Sequence, residues 1–362
     1  MATSPDVVAT ALQELAPGYS ELFTLWHPLF EKIVKNGKLD RGVLKGPYKE
    51  FVVVTDGPGQ VTQVLNGSEI ISGGRRQNAS RGDTYAPRLI YAFDVPGKDL
   101  AEANGENDLA RIIEHYPELA LSDFHERISQ QLVQGDGAGV GGFLTLNGNA
   151  TYNPNGTARN GPLDALATTA QVGTAFNLNK SGAAAGAVAG WHNQYADITS
   201  FAGNGRTRME DVYYTASAQG AKTMGPVDLL IGDKTSYLNY ISDLDSQVRV
   251  QRVEGDKAPS QIRRGIPFLE ADFYMELDID PSNTTQWNAA AQDGVIYMLH
   301  SKTWHLYTLG HDAGMETKGD FSVRGPIRIP EQDMWRYEYV LHMGMYCDQL
   351  RCNGMVTGGN TP

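Results

Sequence analysis

The stretch 333–347, DMWRYEYVLHMGMYC, alternates without a break: Trp335, Tyr337, Tyr339, Leu341, Met343 and Met345 fall on one side of an extended chain, and Arg336, Glu338, Val340 and His342 on the other. Successive side chains of a strand point to opposite faces, so this pattern predicts one continuous strand with an apolar, aromatic face. At ~3.3 Å per residue it spans roughly 40 Å, about twice an ordinary strand. An element of that length marks an architecture with elongated parts.

Runs of the same period lie upstream. Residues 266–275, 295–309 and 321–329 read as strands, as do 51–55 and 85–95, where Leu89, Tyr91, Phe93 and Val95 face one way and Arg88, Ile90, Ala92 and Asp94 the other. Between those last two lie about 30 residues rich in Gly, Asn, Ser and Arg (DGPGQ, LNGSE, SGGRRQNASRGD), where a hairpin loop ordinarily has ~2–5. This segment reads as a β-rich extension that reaches outward and is received by something else. Residues 4–36 carry two short amphipathic helical patterns, stopped by Pro17-Gly18 and then kinked or restarted at Pro28. Two such helices cannot bury their apolar stripes on each other alone, so this segment reads as an arm laid on another surface.

The longest helical pattern runs over 107–134, with Leu109, Ile112, Ile113, Tyr116, Leu121, Phe124, Ile128 and Leu132 on one stripe, a kink expected at Pro117, and a Gly-rich hinge, GDGAGVGG, after it. Residues 143–206 are turn-like or of low complexity. Thr207-Arg-Met-Glu210 reads as a capping box opening a helix that buries Met209, Val212, Tyr213 and Ala216 and ends at Gly220. A strand over 227–231 follows, and Asp233 is placed to cap a helix carrying Tyr237, Leu238, Ile241 and Leu244.

Composition excludes several classes. The 362 residues hold 2 Cys, too few for a disulfide scaffold, and the apolar runs fall far short of the ~18 residues that a membrane span requires. The net charge of −12, with neither sign gathered into a block, leaves no basic footprint for a nucleic-acid reader. The first residues lack the basic start and apolar middle of a signal peptide. Glycine is in excess, 40 residues or about 11% against a usual ~7%.

No motif carries catalytic chemistry. Gly137, Gly139 and Gly142 have dinucleotide-loop spacing but end a helix instead of opening one, the wrong orientation for a phosphate on helix N–H groups. Asp278, Asp280 and Ser282 copy the start of a calcium loop, but Asn283 and Ala289 replace its turn glycine and its bidentate glutamate. Cys347 and Cys352 are five apart with no second pair, which predicts reduced thiols and no zinc site. The histidines form no metal-binding or hydrolase motif, and Arg81-Gly82-Asp83 is a tripeptide too short to weigh. An arm, a long extension and an over-long strand each leave backbone or apolar groups unmet in a monomer, and each is satisfied if a neighbouring copy meets it.

The ordered series of parts resembles the major capsid proteins of tailed bacteriophages, a family whose fold is shared with encapsulins and gene transfer agents. The resemblance spans nearly the whole chain and rests on ISQQLVQGDGAGVGGFLTLNG (128–148), VDLLIGDKTSYLNYI (227–241), RRGIPFLEADFYM (263–275), GVIYMLHSKTWHLYTL (294–309) and the strand quoted first. It implies an α+β chain of the HK97-like capsid fold: an N-terminal arm (1–43), an extended loop with flanking strands (44–99), the spine helix of a peripheral domain (100–136), an axial domain (137–265), peripheral-domain strands (266–346) and a C-terminal segment (347–362).

It further implies a structural protein, not an enzyme, with no cofactor and no metal. The expected role is a virion shell of pentamers and hexamers of one chain, assembled in the host cytoplasm around double-stranded DNA. Expected partners are other copies, a separate scaffolding protein, a portal and a decoration protein, with no membrane. Arg75, Arg76 and Arg81, near the tip of the extension, are candidates to pair with Glu114, Glu118 and Asp123 on a neighbour's spine helix. One branch of the family crosslinks a lysine of this loop to a neighbour's asparagine; no Lys occurs between Phe51 and Gly97, so that chemistry is not expected. An encapsulin-like compartment or gene transfer agent shell and, further off, a secreted β-rich binding protein are the alternatives.

Overall fold

A computed structural model describes residues 28–41, 48–54, 79–85, 88–98, 119, 123, 174–175, 178–179, 191–220, 224–245, 265–275, 294–308, 316–318, 321–330 and 332–360. Its elements in chain order begin with helix α1 (Pro28–Lys35) and strands β1 (Leu39–Arg41), β2 (Tyr48–Val54), β3 (Ala79–Tyr85), β4 (Arg88–Pro96), β5 (Thr174–Ala175), β6 (Leu178–Asn179) and β7 (Gln194–Asp197). Helix α2 (Arg206–Gly220), β8 (Leu229–Gly232), α3 (Lys234–Asp245), β9 (Ile266–Phe268), β10 (Ala271–Met275) and β11 (Ile296–Leu299) follow. The last strands are β12 (Trp304–Thr308), β13 (Glu316–Lys318), β14 (Phe321–Arg328), β15 (Met334–Cys347) and β16 (Gly354–Thr357). Among the described residues no helix is long and apolar enough to cross a membrane.

The described strands form two six-stranded sheets and two two-stranded ones, β2-β3 and β5-β6. The first has the order β1-β12-β15-β14-β13, with β4 also on β15; the second has the order β7-β16-β11-β8-β10-β9. Strand β15 is the beam of the first sheet. Its first part lies between β4, in register from Met334↔Pro96 to His342↔Arg88, and β14, while its last five residues pair with β12 from Met343↔Thr308 to Cys347↔Trp304. Tyr337, Tyr339, Leu341, Met343, Met345 and Cys347 are all buried, as the alternation requires, and so are Val340 and Tyr346 of the other face. The length of this strand was therefore written in its period; the burial of its second face was not.

In the second sheet the core sits between the strands and helices α2 and α3: Met209, Val212, Tyr213 and Ala216 of α2 and Tyr240 of α3 pack with Leu230, Phe268, Phe273, Ile296, Met298 and Val356. Strand β16 lies between β7 and β11, so residues near the end of the described chain complete the middle of a sheet begun 160 residues earlier, at the register Gly354↔Gln194.

Several boundaries differ from those expected. Helix α2 is entered through a wider π-type turn, Phe201–Gly205, with Ser200 before it; Thr207 therefore lies inside the helix, and Glu210 meets Arg206 at 3.0 Å instead of closing a capping box. Helix α3 does start as read, with the buried Asp233 carboxylate accepting the N–H groups of Thr235 (3.0 Å) and Ser236 (3.3 Å). Its buried side is led by Tyr240, whereas Leu238 is half exposed. The run 266–275 is a hairpin, β9–β10, and the run 295–309 breaks at a 3-10 turn, Ser301–Thr303, where the chain leaves the second sheet and enters the first. The change of sheet thus falls at His300–Trp304 and not at the expected boundary of 265; 266–275 and 296–299 belong with 229–232, and part of the expected C-terminal segment, 354–357, is a strand of the same sheet. The long helix expected over 107–134 and the hinge after it fall outside the described residues, apart from Leu119 and Asp123, which are helical and exposed.

Candidate inter-subunit surfaces

Helix α1, with β1 after it, is the described part of the arm. Pro28 stands at its first turn, where a missing N–H costs nothing, and Leu29, Phe30 and Ile33 are buried. It ends in a Schellman motif: Gly37, at φ 67°, donates to Val34 O at 2.9 Å, and Lys38 N–H reaches back to Ile33 O at 3.1 Å. Lys32 then ties the helix to the second sheet. Its ammonium donates to the Asp228 carbonyl and lies 3.6 Å from the Asp272 carboxylate. One turn on, the Asn36 amide donates to Ser301 Oγ at 2.6 Å. The arm is thereby bolted to the point where the chain crosses between sheets.

That crossing is a buried polar knot centred on Asn353. Its side-chain oxygen accepts the His300 N–H and the Trp304 indole N–H, both at 2.9 Å, and its amide donates to Thr303 Oγ1 at 3.1 Å and Gln349 O at 3.0 Å. Asp228 holds the turn from the other side, accepting Ser301 N–H at 2.7 Å and Ser301 Oγ–H at 2.6 Å. His300 is buried, with Nε2 on Gly225 O at 3.2 Å and Nδ1 without a hydrogen-bond partner; burial pushes its pKa below the ordinary value, so it stays neutral. Cys347 and Cys352 are free thiols beside the knot, and burial raises both, Cys352 to about 11.

The extension starts as a two-stranded ribbon, β2 with β3, in register from Tyr48↔Tyr85 to Val54↔Ala79. Phe51 and Val53 point inward and Val52 outward, 63% exposed. The Phe51 ring lies over Gly82, its partner across the ribbon, where an added Cβ would stand 2.7 Å from the ring; Gly82 is thus required by packing, which accounts for it without any adhesion role. The same ring stacks on Tyr346 of β15 at 4.4 Å, and Tyr346 stacks in turn on His305 at 4.7 Å, whose Nε2 lies 3.2 Å from Asp348. Three rings in a row fix the root of the ribbon to the first sheet. Lys49 adds an ion pair to Asp40 at 3.2 Å.

On the outward face of the first sheet, Arg336 and Asp94 form a two-pronged pair across β15 and β4, at 2.8 and 2.9 Å, and the Arg336 hydrogen bonds hold the Asp94 carboxyl below its usual range. Arg324 and Glu338 lie 3.5 Å apart on the neighbouring row. Both of these pairs are closed within the chain.

Of the residues singled out for contacts between copies, Arg81 is in the paired stem of the ribbon, opposite Val52, with its guanidinium on Glu50 of the same strand pair. It is therefore not at the tip of the extension. Asp123 is helical and exposed. Arg75, Arg76, Glu114 and Glu118 lie outside the described residues, as do the acidic 278–282 turn and the 137–142 glycines. Among the described residues no group of three or more His, Cys, Asp or Glu is placed to hold a metal ion. Sequence reasoning missed Asn353, Lys32 and the Phe51–Tyr346–His305 stack; the only local signal was a glycine inside a β-branched ribbon.

No protein-family model matches the chain, and no curated protein matches it. Solved structures do. The capsid asymmetric unit of cyanophage A-1(L) aligns with a TM-score of 0.56 at 11% identity, covering 91% of this chain and 93% of that one. The SrpI encapsulin of Synechococcus elongatus PCC 7942 aligns with a TM-score of 0.51 at 10% identity, over 92% and 88% of the two chains. The capsid of Myoviridae phage XM1 aligns with a TM-score of 0.50 at 10% identity, over 90% of each.

Proposed function

We propose that this chain, which has the HK97-like fold shared by those capsids and the encapsulin, is the major coat protein of a tailed bacteriophage. The observation that carries the reading is the alignment of about nine-tenths of the chain with about nine-tenths of capsid chains of similar length. In this reading copies associate as pentamers and hexamers into an icosahedral head around double-stranded DNA, in a host cytoplasm, with a scaffolding protein, a portal and a decoration protein as partners. The chain is structural and performs no catalysis. Its charge of −12, repeated over every copy, keeps the genome from adhering to the wall while counterions neutralise most of the DNA.

The test is physical size. Purified full-length chain should give megadalton particles or capsomers in size-exclusion chromatography and negative-stain imaging, and particles from infected cells should carry nuclease-protected DNA. A chain that stays monomeric at all concentrations overturns the reading. Closed shells that hold protein cargo and no DNA would assign it to the encapsulin class, which the SrpI alignment makes the one serious rival.

Within this reading Arg75 and Arg76 pair with Glu114, Glu118 and Asp123 of a neighbouring copy, and reversal of both arginines to glutamate blocks or destabilises shells. Unchanged heat stability of such particles would refute the pairing. Boiling in detergent should release monomers, since no lysine lies between Phe51 and Gly97 for a crosslink.

A further inference from the structure

Hairpin β9–β10 turns through two residues, Leu269 and Glu270, closed by the pair Phe268↔Ala271. Leu269 has φ 55° and, among the described residues, is the only non-glycine residue at positive φ. A two-residue loop with positive φ at its first position is ordinarily given to glycine, because a side chain there crowds its own backbone. Leu269 accepts that strain and yet is 45% exposed, so the core does not reward it. Beside it the buried Phe268 meets Tyr213 and Tyr240 edge-on, each at 5.7 Å, and Tyr214, next along α2, is 59% exposed.

The hairpin also closes off one mode of contact. Among the described residues β9 is the last strand of its sheet, but Pro267 has no N–H to give an added strand, and its carbonyl already accepts the Tyr240 hydroxyl at 3.0 Å. Any partner is met here by side chains and not by strand addition. We infer that Leu269 is a knob, held out by a strained turn, that docks into apolar surface on a second copy of this chain. The inference rests on the shell reading above, which supplies the second copy.

Three full-length variants test it: Leu269→Gly and Leu269→Asn, which suit positive φ and remove the apolar knob, and Leu269→Met, which keeps it. Critical concentration for assembly is read by light scattering and negative stain, and the melting temperature is read on the unassembled chain. Gly and Asn should leave melting unchanged or higher while raising the critical concentration by about tenfold, equivalent to ~1.4 kcal/mol per contact; Met should stay near wild type. Assembly of Gly and Asn variants at the wild-type concentration overturns the inference. So does a lowered melting temperature in both, which would place the Leu269 contact within its own chain. Failure of the wild type to assemble is a different result and removes the shell reading itself.

Discussion

Replacing Asn353 by alanine should cut the stability of the unassembled chain more than the loss of any surface ion pair. The side chain is fully buried and serves four N–H, hydroxyl and carbonyl groups, with the Cys347 sulfur a fifth and weaker contact at 3.5 Å. Two of these have other partners: Thr303 Oγ–H also donates to His300 O at 2.8 Å, and Gln349 O also accepts Cys352 N–H at 3.4 Å. The two donors, His300 N–H and the Trp304 indole N–H, share the lost oxygen and are left orphaned. At ~1–3 kcal/mol for each unmet buried donor, the loss should be about 4 kcal/mol. With a urea slope of ~3 kcal/mol/M this is a fall of roughly 1.3 M in the unfolding midpoint. The donor origin of that cost is checked by adding Trp304→Phe. In wild type this change wastes a satisfied bond, but in the Asn353→Ala background it removes an orphan, so the two losses should couple by more than ~1 kcal/mol. A midpoint shift below about 0.4 M, or losses additive within ~0.4 kcal/mol, would refute the account of the knot as the clamp between the sheets.

Three further outcomes follow from the same geometry. Gly82→Val, which drives a side chain into a Phe51 ring already stacked on Tyr346, should cost about 1–3 kcal/mol and speed proteolytic cleavage in the ribbon; cleavage at the wild-type rate would contradict this. His300 is held neutral by burial, so below its ordinary pKa the unfolded chain takes up a proton that the folded chain resists, and stability falls as pH drops from there through the folded value. His300→Gln should flatten the difference between urea midpoints at pH 7 and pH 5; an unchanged slope would locate the acid sensitivity elsewhere. Both cysteines are buried with raised thiol pKa values, so a thiol reagent at pH 8 should find neither in the native chain and both in denaturant, and rapid native labelling of either would show the knot to be open.

Which parts were legible in the sequence follows from the range of the forces that shaped them. The 334–347 strand, the buried stripe of α2 and the Asp233 cap were readable because each is set by neighbours within a few residues. The two breaks that mattered most carry no glycine or proline. One is a leucine at positive φ, and the other is the Ser301–Thr303 turn, held by Asn353 some 50 positions away and by Asp228 some 73 away. No window along the chain contains both halves of such a contact, so 295–309 looked like one strand and the change of sheet was placed too early. The same limit applied to Arg81, whose partner Glu50 faces it only once the ribbon has formed.

The position of β16 also sets an order in time. It separates β7 from β11, so the second sheet remains two unjoined pieces until residues 354–357 have left the ribosome. Until then the chain is an incomplete body with a vacant strand position in its sheet. A vacant strand position is one that a second unfinished copy of the same chain can fill, an exchange of like elements. Closure of the second sheet therefore waits on β16, and its two pieces become one body only when residues 354–357 are in place.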